Sequence, residues 1–251
     1  MKEFLQNIHS QFSWMNLQTI TLIGSFIATV IMGFIVIPIL KKMKIGQVVR
    51  DDGPKEHLKK TGTPTMGGII ILTVSVLAAL IVGQVYPSMI PPAIVTLGFG
   101  FIGFIDDFKK LVLKNPKGLS PKLKMIGLAI VSTAFVSYLI ITGFKTDIYI
   151  PIMKTYIMLP KLVYILFTIF VMLACTNSLN LTDGLDGLAG GVSAIIMMFF
   201  IFVAMAWGDT GLSTFSSIIT GSVIGFLLFN IYPAKVFMGD TGSLALRRSF
   251  L

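Results

Sequence analysis

The feature that most constrains this chain is a succession of long stretches without a charged side chain. They run from Leu17 to Leu40, Gly67 to Tyr86, Ile90 to Ile105, Met125 to Phe144, Leu162 to about Asn180, Gly187 to Gly208, and Gly211 to about Tyr232. A hydrocarbon core about 30 Å thick is crossed by roughly 20 helical residues. The pattern therefore predicts an all-α, polytopic integral membrane protein with about seven transmembrane helices, folded as a single domain over 1–251. The third run is short and glycine-rich, and the Pro-rich segment Tyr86 to Pro92 marks a turn between the second and third helices.

Composition closes off the soluble alternatives. The chain is 55% hydrophobic and 12% charged with a mean hydropathy of +0.88, whereas ordinary globular chains carry about 25% charged residues. A water-soluble enzyme, a disordered chain and a collagen-like chain are excluded. One cysteine, Cys175, leaves no disulfide framework and no thiol-type zinc site, so any metal chemistry relies on oxygen ligands. Residues 1–16 lack the arginine-rich start and small-residue cleavage site of a signal peptide, and the first run reads as a retained helix.

Basic residues give the orientation. With the segment Lys41 to Met66 on the cytoplasmic side, 16 of the 20 lysines and arginines fall on that side, against Lys2, Lys145, Lys154 and Lys161 on the other. The positive-inside rule then puts the N-terminus outside and residue 251 inside. The net charge of +9 belongs to a basic membrane face suited to anionic headgroups or an anionic soluble substrate. Nucleic acid is excluded as a partner, because the basic residues are divided among loops between spans.

Acids are scarcer and more informative. Eight of eleven lie in the expected cytoplasmic segments, and Asp106, Asp107, Asp183, Asp186 and Asp240 abut apolar runs. Carboxylates at a membrane boundary are costly unless they face a polar cavity. Asp106 and Asp107, adjacent on a helix, point in different directions, so one is free for a metal and the other for a lysine or a base position. Asn177, Asn180, Asp183 and Asp186 recur every three residues, which on a continuous helix makes a stripe of oxygen ligands. Gly239 and Gly242 flank Asp240 as a tight turn around a phosphate or metal requires. The first cytoplasmic loop, Arg50 to Gly68, supplies lysines, threonine hydroxyls and a Gly-Gly helix start suited to phosphate oxygens. Hard oxygen donors without a histidine or thiol set favour Mg²⁺ or Mn²⁺, and the inventory points to phosphoryl transfer at the membrane boundary.

Four segments carry a resemblance: Arg50-Asp-Asp-Gly-Pro through Gly68, Phe104-Ile-Asp-Asp-Phe, Asn177 to Gly191, and Phe229-Asn-Ile-Tyr-Pro-Ala-Lys-Val-Phe-Met-Gly-Asp-Thr-Gly-Ser-Leu. Their order resembles the phospho-N-acetylmuramoyl-pentapeptide-transferase family, within the polyprenyl-phosphate N-acetylhexosamine-1-phosphate transferase superfamily. The resemblance implies a bacterial plasma-membrane enzyme of peptidoglycan synthesis with its site on the cytoplasmic face. Its substrates are UDP-MurNAc-pentapeptide and undecaprenyl phosphate, its products lipid I and UMP, its cofactor Mg²⁺, its surroundings membrane lipids, and a homodimer is compatible with it.

By the same resemblance, Asp106, Asp107 and Asp240 are the essential acids, with Asp240 the metal ligand and Asp106 the base or positioner for the lipid phosphate. Asn180, Asp183 and Asp186 flank the nucleotide, with Asp183 and Phe237 at the uracil. Lys60, Thr65, Lys110 and Lys124 contact pyrophosphate or lipid phosphate, and Asn230 lies near the metal. A phosphate monoester with a second pKa near 6 is roughly nine-tenths dianionic at pH 7, which favours direct attack by the lipid phosphate over a covalent aspartyl intermediate. The family fold has ten spans and a histidine-rich motif near its end. Relative to it, seven spans and only His9 and His57 predict a C-terminally shortened chain. Three further readings stay open: a GlcNAc-1-phosphate transferase of the same superfamily, an inactive shortened fragment, and an ion-coupled transporter, which requires acids near the midplane and inverted repeats.

Overall fold

The computed structural model describes residues 16–43, 63–113, 115, 118–150 and 152–246. In chain order they form α1 (Leu17–Lys42), α2 (Gly68–Val82), a short 3₁₀ turn (Pro87–Met89), α3 (Ile90–Leu111) and α4 (Pro121–Ile141). A hairpin of β1 (Asp147–Ile150) and β2 (Thr155–Met158) follows, then α5 (Lys161–Thr182), α6 (Leu188–Ala206), α7 (Thr210–Asn230) and the short α8 (Gly239–Leu246).

The expected helices are all present, with shifted ends. Six are long and apolar enough to cross a membrane, and the remaining one, α2, has 15 residues. At 1.5 Å per residue α2 spans only about 22 Å, because its start is drawn into main-chain pairing described below. α3 continues past the end of the uncharged run at Ile105 to Leu111, so Asp106 and Asp107 lie on the helix, as expected. Helix starts follow local chemistry. Ser120 caps α4 by accepting a hydrogen bond from Leu123 N at 3.3 Å, with Pro121 at the first position, and Asp209 caps α7 by accepting from Leu212 N at 2.9 Å.

Two apolar cores lie side by side. One gathers α1, α2, α6 and α7 around Ile70, Met197, Ile218 and Phe226; the other gathers α3, α4 and α5 around Phe99, Leu128, Val136 and Met172. The short α8 belongs to both, since Leu244 packs into the second and Leu246 into the first. Large apolar side chains such as Ile31, Phe34, Ile130, Phe170 and Phe202 face outward, as a lipid-facing surface requires.

α7 is the central helix, buried along nearly its whole length. It meets α1 through glycines: a side chain on Gly221 would run into the Leu22 carbonyl and the Ser25 hydroxyl, and Gly33 of α1 lies against the Phe229 ring. Small residues let membrane helices approach closely where apolar burial offers no net gain over lipid. The expected outcome of Gly221→Leu is a loss of stability of about 1–3 kcal/mol, the usual cost of overpacking. It is read as a lowered thermal unfolding midpoint in detergent; an unchanged midpoint would mean that this contact does not hold α1 in place.

Candidate active site

The end of α3 carries Asp106, Asp107 and Lys110. Successive helical residues are turned by about 100°, so the two carboxylates leave α3 in different directions, while Asp106 and Lys110 share a face. Lys110 Nζ lies 2.7 Å from Asp106 Oδ2 and 2.8 Å from Asp240 Oδ2. Lys124 Nζ, from the first turn of α4, lies 2.9 Å from the same Asp240 oxygen and 3.4 Å from Asp106 Oδ2. Two ammonium groups and two carboxylates thus form a closed ring drawn from α3, α4 and α8. Asp106 sits deepest at 2% exposure, and Lys110 is the most open at 36%.

The chain between α3 and α4 closes over this ring. Leu119 N donates to Asp106 Oδ1 at 2.6 Å. Gly118 makes the turn at φ +58°, where a Cβ would collide with Asp106 Oδ1 and come within 2.7 Å of Lys110 Cε.

Asp107 does different work. It accepts hydrogen bonds from Asp240 N at 3.2 Å, Thr241 N at 2.8 Å and Thr241 Oγ1 at 2.6 Å. A carboxylate from another helix therefore caps the N-terminus of α8, satisfying N–H groups that a helix start leaves unpaired and meeting its positive dipole end. The expected phosphate-binding turn around Asp240 is instead the first turn of this capped helix.

The position of α8 is fixed from two further sides. Phe237 N donates to Pro64 O at 2.8 Å, Gly67 N to Phe237 O at 2.9 Å, and Gly68 N to Met238 O at 2.8 Å, a main-chain zipper that leads into α2. Thr65, buried in this zipper, stands next to Gly239 and Asp107. The Gly68 and Gly103 backbones press directly on the main chain of Gly242 and Asp240.

The remaining expected residues divide. α5 ends at Thr182, so the three-residue repeat does not continue as a helical stripe: Asp183 is the C-terminal cap and Asp186 lies in the following turn. The cause is local, since Gly184 and Gly187 interrupt the segment and Gly187 adopts φ +75°. Asn180 accepts a hydrogen bond from Ser243 Oγ of α8 at 3.4 Å, which leaves it beside the ring. Asp186 accepts from Ala234 N at 3.1 Å. The Asn230 amide is committed to backbone, accepting from Gly187 N at 3.1 Å and donating to Val236 O at 2.9 Å. Phe237 is half-buried in the zipper segment, and Lys60 lies outside the described residues. Thr241, Ser243, Gly118 and Leu119 were not legible as site residues, although the Gly118-Leu-Ser-Pro121 sequence signals a turn leading into a helix cap.

Electrostatics separate the acids of the site. Burial alone would raise the Asp240 carboxyl, but its contact with the Asp106 carboxyl and the Lys124 and Lys110 ammonium groups outweigh burial and hold it well below the usual carboxylate range. Among the described residues Asp183 has no such cation, and it is pushed up to about 7, first by burial and then by the negative fields of Asp240 and Asp107. Among the described residues no three or more acids, histidines or cysteines gather as a ready-made metal cage. Mg²⁺ is ordinarily held by one or two carboxylates together with substrate phosphates and water, and the Asp240 carboxylate, ionised between Lys110 and Lys124 and 15% exposed, fits that donor pattern.

The helices and the charged ring define a membrane-embedded transferase: residues 89–248 match Glycosyl transferase family 4, and residues 60–72 match phospho-N-acetylmuramoyl-pentapeptide-transferase signature 1. The chain belongs to the phospho-N-acetylmuramoyl-pentapeptide-transferase family. It is 50% identical to the family member of Acetivibrio thermocellus over 88% of this chain and 68% of that protein. It is 45% identical to that of Clostridium acetobutylicum over 88% and 70%, and 42% identical to that of Bacillus subtilis over 90% and 71%.

Two outcomes follow from this geometry. Gly118→Ala combines a left-handed backbone, costly by about 1–2 kcal/mol for a residue with a side chain, with a collision at Asp106. It is expected to slow turnover about tenfold or more in a transferase assay while the protein still inserts and purifies; unchanged turnover would separate this turn from the site. Asp183 concerns pH. Its folded value near 7 lies above its ordinary value of 3.8, so the fold favours the neutral form. The stability it contributes is full below about pH 4 and is lost as pH rises through about 7. With divalent cations chelated, thermal unfolding midpoints measured from acid to neutral pH should fall more steeply for the parent than for Asp183→Asn; parallel curves would show that Asp183 does not titrate there.

Proposed function

We propose that this protein transfers phospho-MurNAc-pentapeptide from UDP-MurNAc-pentapeptide to undecaprenyl phosphate, forming lipid I and releasing UMP, on the cytoplasmic face of a bacterial plasma membrane. The observation that carries the proposal is the ring of Lys110 and Lys124 between Asp106 and Asp240 at one end of the bundle, in a chain of this family. The basic segments around that end support the cytoplasmic assignment by the positive-inside rule. The match over residues 60–72 supports the muramoyl-pentapeptide branch over a GlcNAc-1-phosphate transferase. Collection of the acids at one end, rather than midway along the helices, weighs against a transporter.

The chemistry needs positive charge where phosphate charge accumulates. In the ring each ammonium is already oriented and balanced by carboxylates. Binding is then an exchange in which phosphate oxygens take the place of carboxylate oxygens on Lys110 and Lys124, with the donors held in place beforehand. An oxygen of the lipid phosphate attacks the sugar-bearing phosphorus of the diphosphate. The bond from that phosphorus to the bridging oxygen breaks, and UMP leaves with the bridging oxygen and its electron pair.

Asp106 orients both lysines and lies where the incoming lipid phosphate meets them. Asp240 would hold Mg²⁺, which when bound neutralises charge on the diphosphate oxygens. Asp107 positions Asp240 by capping α8. Asp183, Asn180 and Phe237 line the nucleotide side, with Asp186 and Asn230 fixing the turns behind it. Thr65 extends the phosphate-binding surface from the segment before α2, and Lys60 joins it as a phosphate contact on the family resemblance alone.

The test is UMP release by membranes carrying the protein. It should require both substrates, and UDP-GlcNAc should not replace the muramoyl donor. Asp240→Ala and Asp106→Asn are each expected to reduce turnover by about a hundredfold or more, the usual effect of removing a preorganised electrostatic group. Near-normal turnover by either variant would overturn its assignment, and equal use of UDP-GlcNAc would overturn the substrate.

A further inference from the structure

The β1–β2 hairpin has no part in the chemistry proposed above. It joins the end of α4 to the start of α5 through short linkers, 142–146 and 159–160. Lys124 in the first turn of α4 and Asp183 after α5 lie at the charged ring, so the hairpin stands a full helix length away, at about 30 Å, on the opposite membrane boundary. Its pairing is regular, with Tyr149 opposite Tyr156 and Ile148 opposite Ile157, and Thr146 closes its base by donating through Oγ1 to Leu159 O at 2.8 Å.

Among the described residues this hairpin has no core of its own. An isolated two-stranded hairpin is marginal in water without an apolar surface to pack on. Here Tyr149, Tyr156, Ile157 and Met158 are exposed, and at the turn Ile152 is 95% exposed and Met153 69%. The two tyrosine rings meet across the strands at 5.0 Å, tilted by 49°, forming an aromatic face of the kind enriched at membrane–water interfaces. The exposed apolar surface runs on into the lipid-facing helix ends through Ile141, Phe144 and Leu162.

Charge identifies what covers it. Lys145, Lys154 and Lys161 surround the hairpin, and Asp147 is the only acid between them. All three lysines are exposed, and among the described residues none forms an ion pair. They account for every basic residue that the orientation rule leaves on this side except Lys2. Lysine stems lie along apolar surface while their ammonium groups reach headgroup phosphates.

We propose that the hairpin lies in the membrane interface opposite the active site, its tyrosines and apolar tip among the acyl-chain ends and its three lysines on anionic phospholipid headgroups. It acts there as a lipid-dependent anchor for the α4–α5 pair. The test places an environment-sensitive fluorophore at the tip, through Ile152→Cys in a Cys175→Ala background. The protein is reconstituted into phosphatidylcholine bilayers and into phosphatidylcholine–phosphatidylglycerol bilayers.

The expected result is blue-shifted emission, quenched by lipid-borne nitroxides and more so in the anionic bilayer. The ratio of membrane-buried to water-exposed label should fall about fivefold for each of Lys145, Lys154 and Lys161 changed to glutamine. Hydrogen–deuterium exchange at 147–158 in the unsubstituted protein should slow in the anionic bilayer, which checks the result without the label. Quenching by a water-soluble reagent in both bilayers would overturn the proposal. So would burial indifferent to phosphatidylglycerol and to the lysines, and so would shielding from lipid-borne and water-soluble quenchers alike, which would mean that protein covers the tip.

Discussion

The carboxylate of Asp107 reaches from the end of α3 to the first N–H groups of α8, and most of the site depends on that reach. A helix of eight residues has few internal hydrogen bonds of its own, and short isolated helices are marginal. Capped from outside and wedged between two apolar cores, α8 acquires a definite start, and Asp240 at that start acquires a definite direction. The ring with Lys110 and Lys124 closes only because of this. Adjacent aspartates on one helix thereby take unlike duties, one electrostatic toward the ring and one architectural toward α8.

The ring also shows why so few charges suffice. A buried ion pair is a weak source of stability, since desolvation offsets much of the attraction, but removing one partner strands the other at a cost of about 3–5 kcal/mol. Four groups sharing two oxygens and two ammonium nitrogens leave none of these charges alone. The arrangement is internally satisfied, yet open to solvent through the more exposed Lys110. Asp183 stands just outside this balance, and its raised carboxyl registers the negative field that the lysines do not cancel.

Much of this organisation was legible from residues alone where a strong physical rule applied. Uncharged runs located the helices because lipid tolerates little else, and the divergent directions of Asp106 and Asp107 followed from helical rotation. The link from Asp106 to Lys110 is an ordinary four-residue contact. Other features were not legible because they depend on contacts distant in sequence. The three-residue spacing from Asn177 to Asp186 is compatible with a helix, but the turn around Gly184 and Gly187, tied down by Asn230 and Ala234, ends it at Thr182. The helix at Asp240 depends on a cap 133 residues earlier. The hairpin at Asp147–Met158 occupies a loop too short to announce itself beside the apolar runs.

The main-chain contacts around α8 have a consequence for how such a protein can vary. Gly68 and Gly103 hold Asp240 and Gly242 backbone to backbone, and the 64–68 zipper is likewise made of peptide groups. Alignment of the charged ring is therefore keyed to peptide geometry rather than to the identity of surrounding side chains. The outer faces of the helices can exchange one apolar residue for another to suit a different lipid without retuning the chemistry. A single added methyl group at the base of α8 would be felt directly at the charged ring.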